Sequence, residues 1–222
     1  MLGIEKYDIT VIIPFLNEYE SIPALVDRLN EFFSQQKDLR AEVIFVNDGS
    51  TDQSAIRLAE MKHTAYSAKV ISFSQNFGTH AALRVGMLHA KGEYITFLYA
   101  DMQDPIDNVT RMYAKAKEGN DIVWAYRNGG QQSFFEKQFS RFYSRMMKKY
   151  VSKRYPSRGF DVILFNQKVA GVINNNVEAN SSVFLQVLTM GFRQDSIEYQ
   201  KVARKAGKSK WTISKKIKLF ID

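Results

Sequence analysis

The sequence predicts an α/β protein with a mainly parallel central sheet flanked by helices. Through the first 125 residues, short runs rich in Val, Ile and Phe alternate with longer amphipathic stretches, the pattern of successive strand–helix units. The runs are mostly apolar, as expected of strands buried on both faces. The predicted strands are residues 8–13, 41–46, 69–73, 93–98 and 121–125.

Helical periodicity marks several of the remaining segments. Apolar residues recur at spacings of three and four over residues 22–33, 81–88 and 135–150, as on the core-facing side of a helix. Residues 211–222 have an apolar side and a lysine-rich side, which predicts a helix that lies on a membrane surface or docks on the domain. Because this pattern stops abruptly, we expect a continuation with membrane-embedded helices.

The charge balance divides the chain near residue 126. Residues 1–126 contain 12 Lys and Arg against 17 Asp and Glu, whereas residues 127–222 contain 19 against 6. Such an asymmetry indicates a basic surface that meets the phosphates of a substrate, an anionic membrane or a nucleic acid. We therefore expect three segments, at residues 1–126, 127–210 and 211–222.

The composition excludes some chemistry. The chain has no cysteine, so disulfides, thiolate zinc sites and a cysteine nucleophile are absent, and a reducing compartment is favoured. No apolar run reaches the roughly 18 residues of a spanning helix, and the first residues do not resemble a signal peptide. We expect a cytoplasmic protein.

Polar residues follow four of the predicted strands. In open α/β sheets, ligands bind beyond the carboxyl ends of the strands, so these residues are expected to line one crevice. Asp104 also suits the N-cap of the next helix. The candidates at the four ends are Pro14, Asn17 and Glu18, then Asp48, then Asn76, and finally Asp101 and Gln103.

Residues at two of these strand ends indicate specific chemistry. A carboxylate directly after a buried strand, as at Asp48, can accept hydrogen bonds from a nucleobase N–H or a ribose hydroxyl. Asp101 and Gln103 offer hard oxygen ligands to Mg²⁺ or Mn²⁺ and leave positions for water and a diphosphate. A cation there would stabilise a departing nucleotide diphosphate.

Six motifs spread over nearly the whole chain strengthen this interpretation. They are VIIPFLNE (11–18), VNDGSTD (46–52), FSQNFGTHAALRVGM (73–87), KGEYITFLYADMQDP (91–105), GFD (159–161) and KAGKSKW (205–211). In combination they resemble the family-2 glycosyltransferases of the GT-A fold, and among these the polyisoprenyl-phosphate glycosyltransferases related to dolichyl-phosphate mannose synthase. The first four motifs are specific together, and the last two are weaker.

The resemblance implies an inverting enzyme that transfers a sugar from a nucleotide diphosphate. Residues 1–126 would then bind the donor, and residues 127–210 would form the acceptor side of the same catalytic domain. Asp101 and Gln103 would hold the metal. The resemblance places Pro14, Asn17, Glu18 and Asp48 around the nucleoside, with Asn76 a further donor candidate, and places Arg127, Arg204, Ser209 and Lys210 near phosphates.

The chain departs from the family pattern at two positions. The first aspartate of the aspartate-any-aspartate metal motif is replaced by Tyr99, and the paired aspartates after the second strand are Asn47 and Asp48. More of the metal coordination is therefore expected to rest on Gln103 and on the diphosphate.

The acceptor decides which catalytic group is needed. A sugar hydroxyl requires a general base, for which Asp161 is the best candidate. The oxygen of a lipid phosphate is already anionic, so cations that position it are sufficient. We predict a polyisoprenyl phosphate acceptor at the inner face of the membrane, with Arg141, Arg145 and Lys148 as its contacts.

Three alternatives stay open. The enzyme could act on a hydroxyl of a growing polysaccharide, or the chain could be a sugar-nucleotide-binding module without activity. A nucleic-acid-binding protein would explain the basic second half but not the acidic residues at four strand ends, so we expect no nucleic acid partner. A homo-oligomer is favoured.

Overall fold

The computed structural model describes residues 6–127, 138, 144–149, 161–176 and 182–200. These residues form a seven-stranded sheet with helices packed on both of its faces. In chain order the elements are β1 (Tyr7–Phe15), α1 (Ile22–Ser34), β2 (Ala41–Asn47), α2 (Ser54–Glu60), β3 (Ser67–Ser72), α3 (Thr79–His89), β4 (Gly92–Phe97), α4 (Asn108–Lys117), β5 (Ile122–Arg127), α5 (described over residues 144–149), β6 (Val162–Asn166), α6 (Gln167–Asn175), α7 (Val183–Thr189) and β7 (Gln194–Tyr199).

The sheet is mainly parallel, as predicted. Its strand order is β3-β2-β1-β4-β6-β5-β7. β1 pairs in parallel with β2 and β4, β2 with β3, and β5 with β7, whereas β6 runs antiparallel to both β4 and β5. All described strands except β6 therefore end at the same side of the sheet, which we call the carboxyl edge.

The sequence predicts the first five strands but neither β6 nor β7. β7 is the edge strand QDSIEY and is mostly half-buried, so it lacks the continuous apolar run of a central strand. β6 is apolar but only five residues long, too short to identify by periodicity alone. Both come from the second half of the chain and complete the sheet begun by the first half.

Alternate residues of the central strands face two separate cores. Val11 and Ile13 pack with α1, α2 and α4 on one face. Ile12 packs with α3, α5, α6 and α7 on the other face. This burial on both faces is the reason that β1, β2 and β4 read as nearly continuous apolar runs. The prediction is wrong for β3, which is an edge strand and is exposed or half-buried along its whole length.

The predicted helix faces are correct for α1 and shifted for α3 and α5. α1 buries its whole apolar stripe. In α3, Leu88 was predicted to be part of the core face but is 63% exposed. The helix instead faces the sheet through Gly86, where a Cβ would lie 2.4 Å from Ile12 Cγ2. In α5, Met147 is buried, whereas Met146, which continues the predicted apolar spacing, is only half-buried.

Some predicted elements extend beyond the described ranges. Among the helices of those ranges, none combines the length and the apolar character needed to cross a membrane. The amphipathic helix expected at residues 211–222 lies outside them. Of the helix predicted over residues 135–150, residue 138 and residues 144–149 are described, and they are helical.

Candidate active site

Loops from four parallel strands lie at the carboxyl edge. β1 leads into residues 16–21, β2 into 48–53, β3 into 73–78 and β4 into 98–107. These strands are consecutive neighbours in the sheet, so each loop lies beside the loop of the adjoining strand. Hydrogen bonds link several of the loops to one another.

Asn17 ties the loop after β1 to the loop after β2. Its Oδ1 atom accepts hydrogen bonds from the backbone N–H groups of Thr51 (2.9 Å) and Asp52 (3.4 Å), and its own N–H donates to Ser50 Oγ (3.0 Å). Asn17 has a φ of 53°, a left-handed conformation that asparagine adopts more readily than most residues. Asn17 therefore holds two loops together, and its contact with a nucleoside stays a prediction.

Pro14 lies inside β1, and Glu18 lies in the loop that follows it. Pro14 is buried inside β1, in register with Val46 of β2. Glu18 follows the strand, where its N–H donates to Ser54 Oγ (2.9 Å) and its carboxylate accepts a hydrogen bond from the Ser21 hydroxyl. Glu18 is thus fixed just before α1, whereas Pro14 forms part of the sheet itself.

The Asp48 carboxylate joins the loops after β2 and β3. It is only 5% exposed and accepts hydrogen bonds from the backbone N–H groups of Phe77 (2.8 Å) and Gly78 (3.1 Å). A buried carboxylate is stable only where such donors satisfy it. The next residue, Gly49, has a φ of 72°, and a Cβ there would lie 2.3 Å from the carbonyl carbon of Gln75. Glycine is therefore required at this close approach.

The sequence does not predict this bridge, because the position of Asp48 directly after a strand indicates only a ligand for a nucleobase or ribose. Asn76, the donor candidate of the same loop, is exposed. The neighbouring Phe77 is 57% exposed and makes an edge-on ring contact with Phe73, with centroids 5.6 Å apart. The loop after β3 thus has an ordered backbone and presents its side chains to solvent.

Asp101 and Gln103 lie in the turn that follows β4. Met102, between them, has a φ of 52°, a conformation that costs about 1–3 kcal/mol for a residue other than glycine. Asp101 Oδ1 accepts a hydrogen bond from the Gln103 N–H (3.3 Å), and both residues are half-buried.

The donor atoms of this turn fit a divalent cation. Carboxylate and amide oxygens are the ligands that Mg²⁺ and Mn²⁺ prefer. Within the described residues, no group of three His, Asp or Glu side chains is placed to hold a metal ion. A cation at Asp101 and Gln103 would therefore need water and phosphate oxygens to complete its coordination.

Tyr99 is held as a neutral phenol. Burial, followed by the charges of Asp104, Asp161 and Asp101, raises the pKa of Tyr99 to about 12. Its hydroxyl is protonated at neutral pH, so Tyr99 adds no negative charge to the turn. It does not replace the carboxylate that the family's metal motif has at this position.

Arg127 and Asp161 face each other at the ends of adjacent strands. Arg127 is the last residue of β5, and Asp161 precedes β6, with its N–H donating to the carbonyl oxygen of Ala125 (3.0 Å). Arg127 Nε lies 4.0 Å from Asp161 Oδ2, and the two side chains are 40% and 28% exposed. Both charged groups are therefore accessible at the carboxyl edge.

A buried contact between Tyr199 and Asp104 completes the described site. Tyr199, the last residue of β7, donates its hydroxyl to Asp104 Oδ1 at 2.6 Å. Burial, then the hydrogen bond and charge of Asp104, and then Asp161, raise the pKa of Tyr199, so the hydroxyl keeps its proton. The N-cap prediction for Asp104 is wrong, because α4 begins only at Asn108. Nothing in the sequence pattern of β7 marks Tyr199 as a site residue.

The remaining predicted residues belong to the second half of the chain. Arg145 is exposed and Lys148 is half-buried on α5, which is anchored by Met147 against the core shared with α3, α6 and α7. Their contact with an acceptor stays a prediction. The residues that lie outside the described ranges are Arg141, Arg204, Ser209 and Lys210.

Comparison with known proteins identifies the family. The family model "Glycosyl transferase family 2" matches residues 10–198, most of the chain and nearly all of the sheet. The chain belongs to glycosyl transferase family 2. This confirms the predicted family. A relative of this chain is the uncharacterized glycosyltransferase YkcC from Bacillus subtilis (strain 168). It is 34% identical over 214 residues, which are 96% of this chain and 66% of the relative.

Solved structures share the fold at low identity. The mannosyltransferase PcManGT from Pyrobaculum calidifontis, in complex with GDP-Man and Mn²⁺, has a TM-score of 0.59 at 20% identity, over 90% of this chain and 57% of its own. Glucosyl-3-phosphoglycerate synthase from Mycobacterium tuberculosis, in complex with Mn²⁺, UDP and phosphoglyceric acid, has a TM-score of 0.55 at 18% identity, over 90% and 72%. These likenesses confirm the predicted GT-A fold of this family-2 glycosyltransferase.

We expect Asp48→Asn to destabilise the domain by about 1–2 kcal/mol, since a buried carboxylate that accepts from two amides is replaced by a neutral group with one acceptor oxygen. Asp27→Asn, at an exposed position of α1, should change stability by less than about 0.5 kcal/mol. Urea unfolding of both variants measures the difference. Equal stability of Asp48→Asn and wild type would show that the negative charge of Asp48 contributes nothing to the bridge between the two loops.

Proposed function

We propose that this glycosyltransferase takes its sugar from a nucleotide diphosphate bound across the carboxyl edge. The observation that carries the proposal is the placement of Asp48 and Asp101 after β2 and β4, the two neighbours of β1. Strands separated by one other strand are about 10 Å apart, which suits a nucleoside beside Asp48 and its diphosphate beside Asp101. Pro14, Asn17, Glu18 and Asn76 are then donor contacts.

Asp101 and Gln103 are the proposed ligands of Mg²⁺ or Mn²⁺. When bound, the cation would neutralise charge that develops on the departing diphosphate. Arg127 at the end of β5 would add a positive charge near the phosphates. The Pyrobaculum mannosyltransferase and the Mycobacterium synthase were each solved with Mn²⁺, which supports this choice of cation.

The proposed acceptor is a polyisoprenyl phosphate at the inner face of the membrane. Its anionic oxygen would form the new bond to the anomeric carbon as the bond from that carbon to the β-phosphate oxygen breaks, with inversion. No proton has to be removed from such an acceptor. Residues 127–222 contain 19 Lys and Arg but only 6 Asp and Glu. This excess of positive charge supports contact with lipid phosphates. Arg141, Arg145 and Lys148 are the proposed acceptor contacts, and Arg204, Ser209 and Lys210 lie near phosphates in the same proposal.

A second candidate is transfer to a hydroxyl of a growing polysaccharide. The observation in its favour is the accessible carboxylate of Asp161 opposite Arg127. Asp161 would then accept the hydroxyl proton as the oxygen attacks the anomeric carbon.

A thermal-shift screen of UDP-, GDP- and dTDP-sugars tests donor binding. We expect one base to raise the apparent melting temperature and Mn²⁺ to increase that rise, since a ligand at 100 times its Kd stabilises the folded state by about 2.7 kcal/mol. Mn²⁺ alone and each nucleotide alone are the controls. A flat response to every nucleotide with Mn²⁺ would contradict the proposed donor site.

Asp161→Asn separates the two acceptor classes in a transfer assay. With a polyisoprenyl phosphate acceptor we expect turnover within a few-fold of wild type, because no general base is needed. With a hydroxyl acceptor we expect a loss of about 10²–10⁴-fold. Asp107→Asn, an exposed residue at the start of α4, is the matched charge control. A loss of that size with the lipid phosphate would overturn the proposed acceptor.

A further inference from the structure

The contact between Tyr199 and Asp104 joins two distant parts of the chain at the candidate metal turn. Tyr199 ends β7, in register with Arg127 of β5, and its side chain is almost fully buried. Its hydroxyl donates a hydrogen bond to the carboxylate of Asp104, which lies 95 residues earlier in the chain, at 2.6 Å. A hydrogen bond to an ionised group in such a buried place is among the stronger ones in proteins.

Asp104 is directly attached to the turn that carries the proposed metal ligands. The Met102 N–H donates to the carbonyl oxygen of Tyr99 (3.1 Å), and the Gln103 N–H donates to Asp101 Oδ1 (3.3 Å). Met102 is in the left-handed region. A strained conformation of this kind persists only where the surrounding structure holds it.

Tyr199 also lies near the second carboxylate of the site. Asp161 precedes β6, and its charge acts on the Tyr199 hydroxyl together with that of Asp104. The hydroxyl carries one proton, which it donates to Asp104. Tyr199 is thus hydrogen-bonded to Asp104 in the turn after β4 and lies near Asp161, which precedes β6.

We infer that Tyr199 is a positioning residue, whose hydroxyl holds Asp104 and so presets the oxygens of Asp101 and Gln103 for a divalent cation. The inference rests on the proposed metal-dependent function. It assigns β7 a role in the site, although Tyr199 itself need not touch metal or donor. Partners that hold metal ligands in this indirect way typically change metal affinity by about 10–100-fold.

Tyr199→Phe tests this inference, with Mn²⁺ alone as the probe and free Mn²⁺ followed by electron paramagnetic resonance. We expect Mn²⁺ affinity to fall about 10-fold or more. In the transfer assay, the Mn²⁺ concentration for half-maximal activity should rise by a similar factor, and kcat at saturating Mn²⁺ should recover most of its wild-type value.

Tyr66→Phe is the matched control. Tyr66 is also buried, 8% exposed, and its hydroxyl makes a hydrogen bond with His63 Nδ1 (2.8 Å). It precedes β3, at the opposite end of the strand from the carboxyl edge. We expect Tyr66→Phe to lower the unfolding midpoint about as much as Tyr199→Phe and to leave Mn²⁺ affinity unchanged.

The outcomes separate the inference from the function on which it rests. Wild-type protein that binds Mn²⁺ and a Tyr199→Phe variant that binds it equally well would overturn the inference alone. An equal loss of affinity in Tyr66→Phe would also overturn it, because the effect would then be global. Wild-type protein that binds Mn²⁺ neither alone nor with a nucleoside diphosphate present would overturn the proposed metal site together with the inference.

A second variant covers the case in which Tyr199→Phe does not fold. Asp104→Asn keeps the shape of the side chain that accepts the hydrogen bond but weakens the hydrogen bond from the Tyr199 phenol. It should lower Mn²⁺ affinity. Asp107→Asn removes one nearby exposed charge without touching this contact. Equal Mn²⁺ affinities for the two variants would contradict the inference.

Discussion

The common direction of β3, β2, β1 and β4 is the constraint on which this site depends. Parallel strands place their carboxyl ends at one edge, so the loops that follow them share a narrow space. Backbone N–H groups in that space need partners, and here Asn17 and the Asp48 carboxylate supply them. The polar residues after each strand therefore build the edge itself, before any ligand is bound. An edge ordered in this way loses little conformational freedom when a substrate binds.

The second half of the chain completes the edge that the first half begins. β6 enters the sheet antiparallel between β4 and β5 and brings Asp161 to Arg127, and β7 brings Tyr199 to Asp104. The turn after β4 is thus supported from outside its own strand–helix unit. The turn also carries one negative charge fewer than the family's metal motif, because Tyr99 is a neutral phenol at the position where that motif has an aspartate. Asp101 is left as the carboxylate of the proposed metal pair.

The sequence predicts well what depends on local patterns. The five apolar strands, the core face of α1 and the polar strand ends follow from periodicity and from the rule that ligands bind at the carboxyl ends of parallel strands. It predicts poorly what depends on distant partners. The polar pattern of β7 does not predict a strand, the position of Asp104 wrongly predicts a helix cap, and the bridge from Asp48 to the loop after β3 is not predicted. In each case the decisive hydrogen bond joins residues about 30 to 95 positions apart, which no local pattern records.

The most direct test of this account is calorimetric titration of the preferred nucleoside diphosphate, with and without Mn²⁺, into wild-type protein, Asp101→Ala and the control Asp107→Ala. The account predicts that Mn²⁺ strengthens nucleotide binding in wild type and in Asp107→Ala, and that this gain disappears in Asp101→Ala. Removal of the one carboxylate of the proposed metal pair leaves the cation without its charged protein ligand. A gain in Asp101→Ala equal to that in wild type would contradict the account.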